Sequence, residues 1–249
     1  MSGHSKWSTI KRAKGITDAR RGAVFTKLSR EIILAAKQGG GDTGMNFRLR
    51  LAVQRARASN VPAENIERAI AKGTGASAEG QMDEITYEGY GPGGAAIIVA
   101  VLTDNRNRTV AEVRHRFSRS GGNLGETGSV AWQFEPKGLI TVPTKKMDGD
   151  DIVLLAIDAG ADDVSVHDDM VEVQTSPASL EAVRNALESS GLEIENADFA
   201  MVPTNSVQLD DKAAHQVMKL IEALEDLDDV QRVYSNADLT DAQVESYEG

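Results

Sequence analysis

The stretch that decides the fold is residues 138–203, which read GLITVPTKKMDGDDIVLLAIDAGADDVSVHDDMVEVQTSPASLEAVRNALESSGLEIENADFAMVP. Short runs rich in β-branched residues alternate there with two patterns of helical period. We place strands at residues 139–142, 163–166, 171–174 and 194–201, and helices at residues 150–159 and 179–190. The resulting order, βαββαβ, is that of a ferredoxin-like domain that is complete in itself.

The sequence on either side of this stretch predicts one discontinuous domain. Upstream, strands at 84–90 and 95–103 flank a glycine-rich turn and precede a helix at 108–120 and a strand near 130–134. Downstream, a helix at 212–224 and a strand at 230–234 are too little to form an independent sheet. We therefore expect residues 81–136 and 204–249 to build one α+β domain, into which residues 137–203 are inserted.

The first 80 residues predict a basic arm followed by three helices. Residues 1–16 lack an apolar period and contain two glycines, which favours an extended arm. Apolar residues then recur at helical spacing from residue 18 to the glycines at 39–41. Residues 46–59 begin with the alternation of a strand but continue with strong helix formers, which favour a helix. A third helix begins after Pro62 and ends at Gly73.

The predicted fold class is therefore α+β and multidomain. A three-helix N-terminal domain, residues 1–80, precedes two α/β-sandwich (ferredoxin-like) domains, and the second of these is inserted into the first.

Charge is distributed unevenly along the chain. The net charge of the whole protein is −11, which by itself argues against a polyanionic partner. Residues 1–80, however, carry a net charge of +9, and residues 81–249 carry −20. This asymmetry indicates a basic module for nucleic acid joined to an acidic body.

The candidate nucleic-acid-binding residues are the cations of the arm and of the predicted helices, together with one aromatic residue. On the first helix four cations follow one stripe, predicted to lie opposite the apolar face and to face solvent. Trp7 offers a ring for base stacking, and the cations offer phosphate contacts. The candidates are Lys6, Trp7, Lys11, Arg12, Lys14, Arg20, Arg21, Lys27, Arg30, Lys37, Arg48, Arg50, Arg55 and Arg57. Such contacts set affinity and register without specifying a sequence, and the alternative interpretation is a set of solvated helix faces.

The sequence offers no site for catalysis or for a metal ion. There are no cysteines, and the four histidines are dispersed without a ligand spacing. Gly89, Gly91 and Gly94 match the dinucleotide-binding pattern, but a strand follows them where the pyrophosphate needs a helix, so we interpret them as a hairpin turn. The longest apolar run, residues 95–102, is too short to span a bilayer. We expect no cofactor, no metal ion, no membrane partner and no enzymatic activity, in a cytoplasmic protein.

Several ordered blocks together resemble the YebC family along the whole chain. They are GHSKWSTIK at 3–11, DARRGAVFTKLSREI at 18–32, NIERAI at 65–70, YEGYGPGGAA at 87–96, TDNRNRT at 103–109 and GGNLGETGSV at 121–130. The chain departs from the family at Ala23, where a lysine is expected, and at Ser235, where the family often has histidine. The first departure puts one phosphate contact in doubt, and the second removes a candidate proton carrier.

The resemblance implies an N-terminal helical domain, two α+β domains and no known catalytic activity. Members are described as probable transcriptional regulators that bind promoter DNA, a mitochondrial relative looks like a translational activator, and bacterial relatives are linked to ribosomal decoding. Two functions therefore stay open: a DNA-binding transcriptional regulator, and a translation factor that contacts ribosomal or messenger RNA. An enzyme that uses an inter-domain cleft is a third, less favoured alternative. The ribosome and RNA polymerase are candidate partners, and the oligomeric state is open.

Overall fold

The computed structural model describes residues 18–75, 82–167 and 169–247, with side chains of the first helix described from Gly22 onward. The predicted basic arm, residues 1–16, lies outside the described residues. In chain order the described elements are α1 Asp18–Gly39, α2 Phe47–Ala58, α3 Ala63–Gly73, β1 Asp83–Tyr90, β2 Ala96–Thr103, α4 Arg106–Arg119, β3 Asn123–Leu124, β4 Phe134–Pro143, α5 Gly149–Asp158, β5 Asp163–Val166, β6 Met170–Thr175, α6 Leu180–Ser189, β7 Asn196–Pro203, β8 Val207–Gln208, α7 Asp211–Glu225, β9 Val230–Ser235, β10 Ala237–Asp238 and α8 Asp241–Glu245. This is the predicted α+β fold, with a helical region followed by sheet domains.

The three N-terminal helices share one apolar core. Residue 47 onward forms helix α2 despite its strand-like alternation, because Asn46 caps it. The side-chain oxygen of Asn46 accepts a hydrogen bond from the Leu49 amide at 3.0 Å, and its amide group donates to the carbonyl oxygens of Ala35 and Gly40, each at 2.8 Å. This buried cap also fixes the loop between α1 and α2.

The helical core continues onto the first sheet. Met82 and Leu102, at the start of β1 and in β2, belong to the same apolar cluster as Ile32 and Leu49 of the helices. The helical region and the first sheet therefore form one compact unit, made of the described residues of 18–133 and 203–247.

The first sheet has the strand order β3-β1-β2-β9 with antiparallel pairing. Helices α4 and α7 supply the apolar cluster on one of its faces, packed against Val99 and Val233 of the strands. The predicted hairpin turn is confirmed: Tyr90 pairs with Ala96 across a short 3₁₀ turn in which Gly93 and Gly94 have φ values of 70° and 82°. Such backbone angles favour glycine.

The predicted strand near residues 130–134 is wrong. The strand that completes this edge of the sheet is β3, at residues for which we predicted no strand, and residues Ala131–Gln133 form a 3₁₀ turn. The amides of Val130 and Ala131 donate to the carboxylate of Glu88, so they are not available to a strand ladder.

The second compact unit is residues 134–202. Its elements run β4-α5-β5-β6-α6-β7, and its sheet has the order β5-β6-β4-β7. This is the predicted ferredoxin-like connectivity, with the first strand beside the third and fourth. Alternating side chains of the strands, among them Ile140 and Val173, are fully buried together with Ile152 of α5 and Leu180 of α6.

Candidate nucleic-acid interface

The candidate cations divide between described and undescribed parts of the chain. Lys6, Trp7, Lys11, Arg12 and Lys14 lie outside the described residues, and the side chains of Arg20 and Arg21 lie in the part of α1 whose side chains are not described. The seven remaining candidates belong to α1 and α2.

Lys27 and Arg30 of α1 bond to the protein's own acidic body. Lys27 Nζ donates to the carbonyl oxygen of Glu225, the last residue of α7, and Arg30 Nη1 donates to the carbonyl oxygen of Asp228 just beyond it. The predicted solvent-facing stripe is therefore wrong for these two residues, which are half-buried. The physical reason is that the end of a helix carries carbonyl groups without helical partners and a partial negative charge, both of which attract cations.

Asp229 joins the helical region to the sheet. Its carboxylate is 3% exposed and lies 2.8 Å from Arg30 Nη1. The other carboxylate oxygen accepts hydrogen bonds from Thr109 at 2.6 Å, Arg108 at 2.8 Å and Thr103 at 3.0 Å. Burial opposes ionisation, but these bonds and the charge of Arg30 outweigh it and lower the pKa of Asp229 to about 2. The TDNRNRT block is thus a structural motif that holds a buried carboxylate.

The last turn of α1 and the start of α2 bind nearby backbone and side chains. Lys37 Nζ donates to the carbonyl oxygen of Met82 at 2.9 Å, and Arg48 donates to the side chain of Gln38 at 2.5 Å. Both cations therefore contribute to the packing of the helical region in this conformation.

The other arginines of α2 differ in how they are held. Arg50 donates to the carbonyl oxygens of the α1–α2 loop and lies over the ring of Phe47, 5.3 Å from its centroid. Arg55 pairs with Glu31 at 2.5 Å. Arg57 is exposed, and within the described part of the chain it has no ion pair or side-chain hydrogen bond. Among the candidates with described side chains, Arg57 is the one whose guanidinium stands without such a partner.

Helix α3 does not add a cationic surface. It follows α2 after a four-residue turn and exposes Glu64 and Glu67 together with Arg68, which donates to Asn65 at 3.1 Å. Exposed carboxylates repel phosphates, so this helix is poorly suited to enter a DNA groove.

A second group of exposed residues lies on the first sheet, and sequence reasoning missed it. Trp132 is 70% exposed and Tyr90 is 38% exposed. The indole Nε1 of Trp132 donates to the carbonyl oxygen of Ser129 at 3.1 Å, and the hydroxyl of Tyr90 donates to the same oxygen at 3.0 Å. The available signal was an aromatic residue that follows the glycine-rich segment 121–128.

A buried carboxylate holds the loop that carries Trp132. Glu88 is 4% exposed, and its side chain accepts hydrogen bonds from the amides of Gly128, Val130 and Ala131 at 2.7–2.8 Å. Burial raises the pKa of Glu88, but the three amide bonds prevail and leave it below its ordinary value. The carboxylate therefore stays ionised and fixes the loop.

The described residues contain neither a metal-binding cluster nor a membrane-spanning helix. No cluster of three or more His, Asp or Glu side chains among residues 18–75, 82–167 and 169–247 is arranged to hold a metal ion. In the same ranges no helix combines the length and the apolar character needed to cross a bilayer.

Comparison with known proteins gives two family models that match nearly the whole chain. The model described as TACO1/YebC protein N-terminal domain matches residues 5–76. The model described as TACO1/YebC second and third domain matches residues 82–237.

Similar proteins carry a common description. A protein of Herpetosiphon aurantiacus is 54% identical over 248 residues, which is 99% of this chain and 98% of that one. A protein of Pelotomaculum thermopropionicum is 55% identical over 243 residues, 97% of this chain and 100% of that one. Both are named probable transcriptional regulatory protein. The crystal structure of a conserved hypothetical protein from Aquifex aeolicus has a TM-score of 0.84 and 46% identity, and the match covers 90% of this chain and 93% of that one.

Proposed function

The chain belongs to the TACO1/YebC family, and on this premise we propose that it is a nucleic-acid-binding regulator of gene expression that binds DNA through its basic N-terminal domain. The observation that carries the proposal is the separation of charge, +9 in residues 1–80 against −20 in residues 81–249. A basic module supplies phosphate contacts, and an acidic body suppresses indiscriminate binding. In this proposal the protein acts in the cytoplasm without enzymatic activity.

The described contacts narrow the proposed interface within that module. Six candidate cations of α1 and α2 already donate to carbonyl oxygens or pair with side chains of the protein, so using them for phosphates costs those contacts. We therefore assign the phosphate contacts to Arg57 and to the cations at residues 6–21 instead. Because phosphate contacts carry no sequence information, specificity has to come from other groups or from a partner.

A second candidate function is a ribosome-associated translation factor that contacts RNA. The observation that favours it is the surface of α3, which exposes Glu64 and Glu67 where a groove-reading helix would need cations and amides. Recognition of RNA by shape and backbone does not need such a helix. If the protein is a transcriptional regulator, the proposed partner of the acidic body is RNA polymerase. If it is a translation factor, the proposed partner is a ribosomal protein.

Salt-dependent binding tests the shared part of both proposals. The affinity of the full chain for a labelled DNA duplex is measured by fluorescence anisotropy from about 50 to 200 mM salt. The arm variant Lys11→Ala/Lys14→Ala is compared with Lys145→Ala/Lys146→Ala, which removes the same charge from the inserted domain. We expect the arm variant to flatten the logarithmic salt slope by about two, and the control to leave it unchanged.

The number of phosphate contacts is a further quantity that this measurement gives. If all thirteen candidate cations bound phosphates, the slope would be about −12, whereas the seven without a described internal partner give about −6. Equal slopes for the arm variant and the wild-type protein would refute binding through the arm.

Sedimentation of a cell lysate then separates DNA from the ribosome as the target. Migration with ribosomal particles that nuclease treatment abolishes would support the translation function and count against the transcriptional one. Migration away from these particles at low salt, together with duplex binding, would support the transcriptional function.

A further inference from the structure

We propose that the inserted domain docks a basic amphipathic helix of a partner protein on an apolar surface formed by helix α5 and strand β5. We call this surface the α5 surface and define it by Val153, Leu154, Ile157 and Val166. It lies within residues 134–202, so the inference goes beyond the proposed binding of nucleic acid through the N-terminal domain and does not depend on it.

Helix α5 is apolar on more than the face that it buries. Ile152 and Ala156 are fully buried where the helix packs on β5 and β6. On the outer side, however, Leu154 is 63% exposed and Ile157 is 57% exposed. One apolar face is enough to hold a surface helix on its domain, so the exposed apolar residues of α5 are not explained by the fold.

Helix α6 of the same domain shows the usual arrangement. It buries Leu180, Val183 and Leu187 and exposes the polar side chains of Asn185 and Glu188. Polar residues of high helix propensity would serve equally well on the outer side of α5. A contiguous apolar patch in such a position is typical of a surface that contacts another molecule.

The exposed apolar residues of α5 are contiguous with the edge of the sheet. Residues four apart share one side of a helix, so Gly149, Val153 and Ile157 form one row. A Cβ atom on Gly149 would lie 2.9 Å from Cγ1 of Val166, which places this row beside β5. Val166 is 49% exposed on this edge strand, and Leu154 adjoins the row from the next position along the helix. The four side chains therefore form one patch rather than isolated exposed residues.

The α5 surface is bordered by carboxylates. Asp150, Leu154 and Asp158 form the neighbouring row of the helix, and both aspartates are exposed. Residues 134–202 contain four lysines and arginines against fifteen aspartates and glutamates, a net charge of −11. Three of the four cations are paired within the domain, as Lys137–Asp162, Lys146–Glu193 and Arg184–Glu188. An apolar centre with an acidic border complements a partner whose apolar residues are flanked by lysine or arginine.

A second copy of this chain fits the α5 surface less well. Two α5 helices that cross antiparallel at Leu154 would place Asp150 of one copy near Asp158 of the other. Like charges facing each other across an interface disfavour the complex. A basic helix avoids this repulsion, and its apolar residues at positions i, i+3, i+4 and i+7 can pack along the ten-residue helix α5.

Peptide binding to the full chain tests the proposal. The probe is a labelled synthetic peptide of about 18 residues, long enough to form a helix, with leucine at positions i, i+3, i+4 and i+7 and lysine elsewhere. A second peptide replaces every lysine by glutamate. Binding of both is measured by fluorescence anisotropy, and circular dichroism verifies that each protein variant is folded.

Two double variants separate the α5 surface from exposed apolar residues elsewhere. Leu154→Gln/Ile157→Gln removes the apolar centre and keeps residues of good helix propensity. The matched control is Met45→Gln/Trp132→Gln, which removes two large apolar side chains that are 89% and 70% exposed.

We expect the leucine–lysine peptide to bind the wild-type protein and the control equally. Leu154→Gln/Ile157→Gln should weaken binding at least about tenfold, the factor that corresponds to burial of one large aliphatic side chain. Asp158→Asn should weaken it about 2- to 5-fold at low salt. Glu195→Gln, which removes an exposed charge beside the opposite edge strand β7, should leave it unchanged.

Equal affinity of the two double variants for the leucine–lysine peptide, or no binding of this peptide to the wild-type protein, would overturn the proposal. Equal affinity of the wild-type protein for the lysine and glutamate peptides would overturn the assignment to a basic partner. Sedimentation velocity at high protein concentration tests the other occupant: a wild-type dimer that Leu154→Gln/Ile157→Gln converts to a monomer would assign the α5 surface to a second copy of this chain and overturn the proposal.

Discussion

Replacement of Asp229 by asparagine should destabilise the larger compact unit by at least about 2 kcal/mol at neutral pH. The buried carboxylate has a pKa of about 2 in the folded protein against 3.8 as its ordinary value. Each pKa unit corresponds to about 1.4 kcal/mol, so the ionised carboxyl contributes about 2 kcal/mol more to folding than the protonated one. Asparagine keeps the shape of the side chain but removes the charge that Arg30 and Arg108 contact.

The pH dependence follows from the direction of the shift. Because the folded-state pKa of Asp229 is lower than the unfolded one, its contribution is complete above about pH 4 and declines as the pH falls toward 2. At about pH 3 roughly 1 kcal/mol should remain. The difference in stability between the wild-type protein and the Asp229→Asn variant should therefore shrink by about half between pH 6 and pH 3.

Urea unfolding followed by circular dichroism at several pH values measures this difference. The control is Asp228→Asn, which removes the same charge from the exposed neighbouring residue and should change stability by less than about 0.5 kcal/mol. An Asp229→Asn variant as stable as the control, or a difference between Asp229→Asn and the wild type that does not change with pH, would refute the role assigned to the buried carboxylate.

Two further predictions concern the loop and the edge of the same sheet. Glu88→Gln should destabilise the protein by about 1–3 kcal/mol and speed hydrogen exchange of the three amides that bind the carboxylate. The control, Glu126→Gln in the exposed part of the loop, should do neither. Unchanged exchange of the three amides in Glu88→Gln would contradict the anchoring role of Glu88. Gly89→Ala should lower the free energy of unfolding in urea by about 2–3 kcal/mol, because its Cβ would lie 2.6 Å from the carbonyl oxygen of Asn123. The control, Gly22→Ala, places a Cβ with nothing within 4 Å and should not destabilise the protein. A Gly89→Ala protein as stable as the wild type would show that β3 can shift to make room for the methyl group.

The fold could be predicted from sequence wherever local pattern and global packing agree. The order of the inserted domain follows from alternating strand and helix patterns, each of which has its own turn residues. The edge strand β3 could not be predicted, because two residues carry no periodicity. Its pairing beside Gly89 depends on a close approach that the sequence shows only as glycines.

The sequence predicted which residues of the candidate site are basic, but it did not predict which groups those residues contact. Basic residues of α1 were visible as a stripe, but the partners of Lys27 and Arg30 lie 198 residues away in the chain, at and just beyond the end of α7. No local pattern in a single sequence encodes a contact between a side chain and a distant backbone carbonyl. Trp132 was overlooked for the related reason that an exposed tryptophan has no signature unless the structure shows what holds it.

The buried carboxylate of Asp229 gives a physical reason for joining a basic module to an acidic body. Asp229 draws Arg30 and Arg108 onto the junction between helices and sheet, and Glu88 orders the loop that carries Trp132. The acidic body therefore does more than repel nucleic acid. Its carboxylate at Asp229 pairs with Arg30 of the basic module, and this ion pair stabilises the junction between the helices and the sheet. The charge that stays available for phosphates is therefore smaller than composition suggests, because Lys27 and Arg30 of the basic module bond to the acidic body.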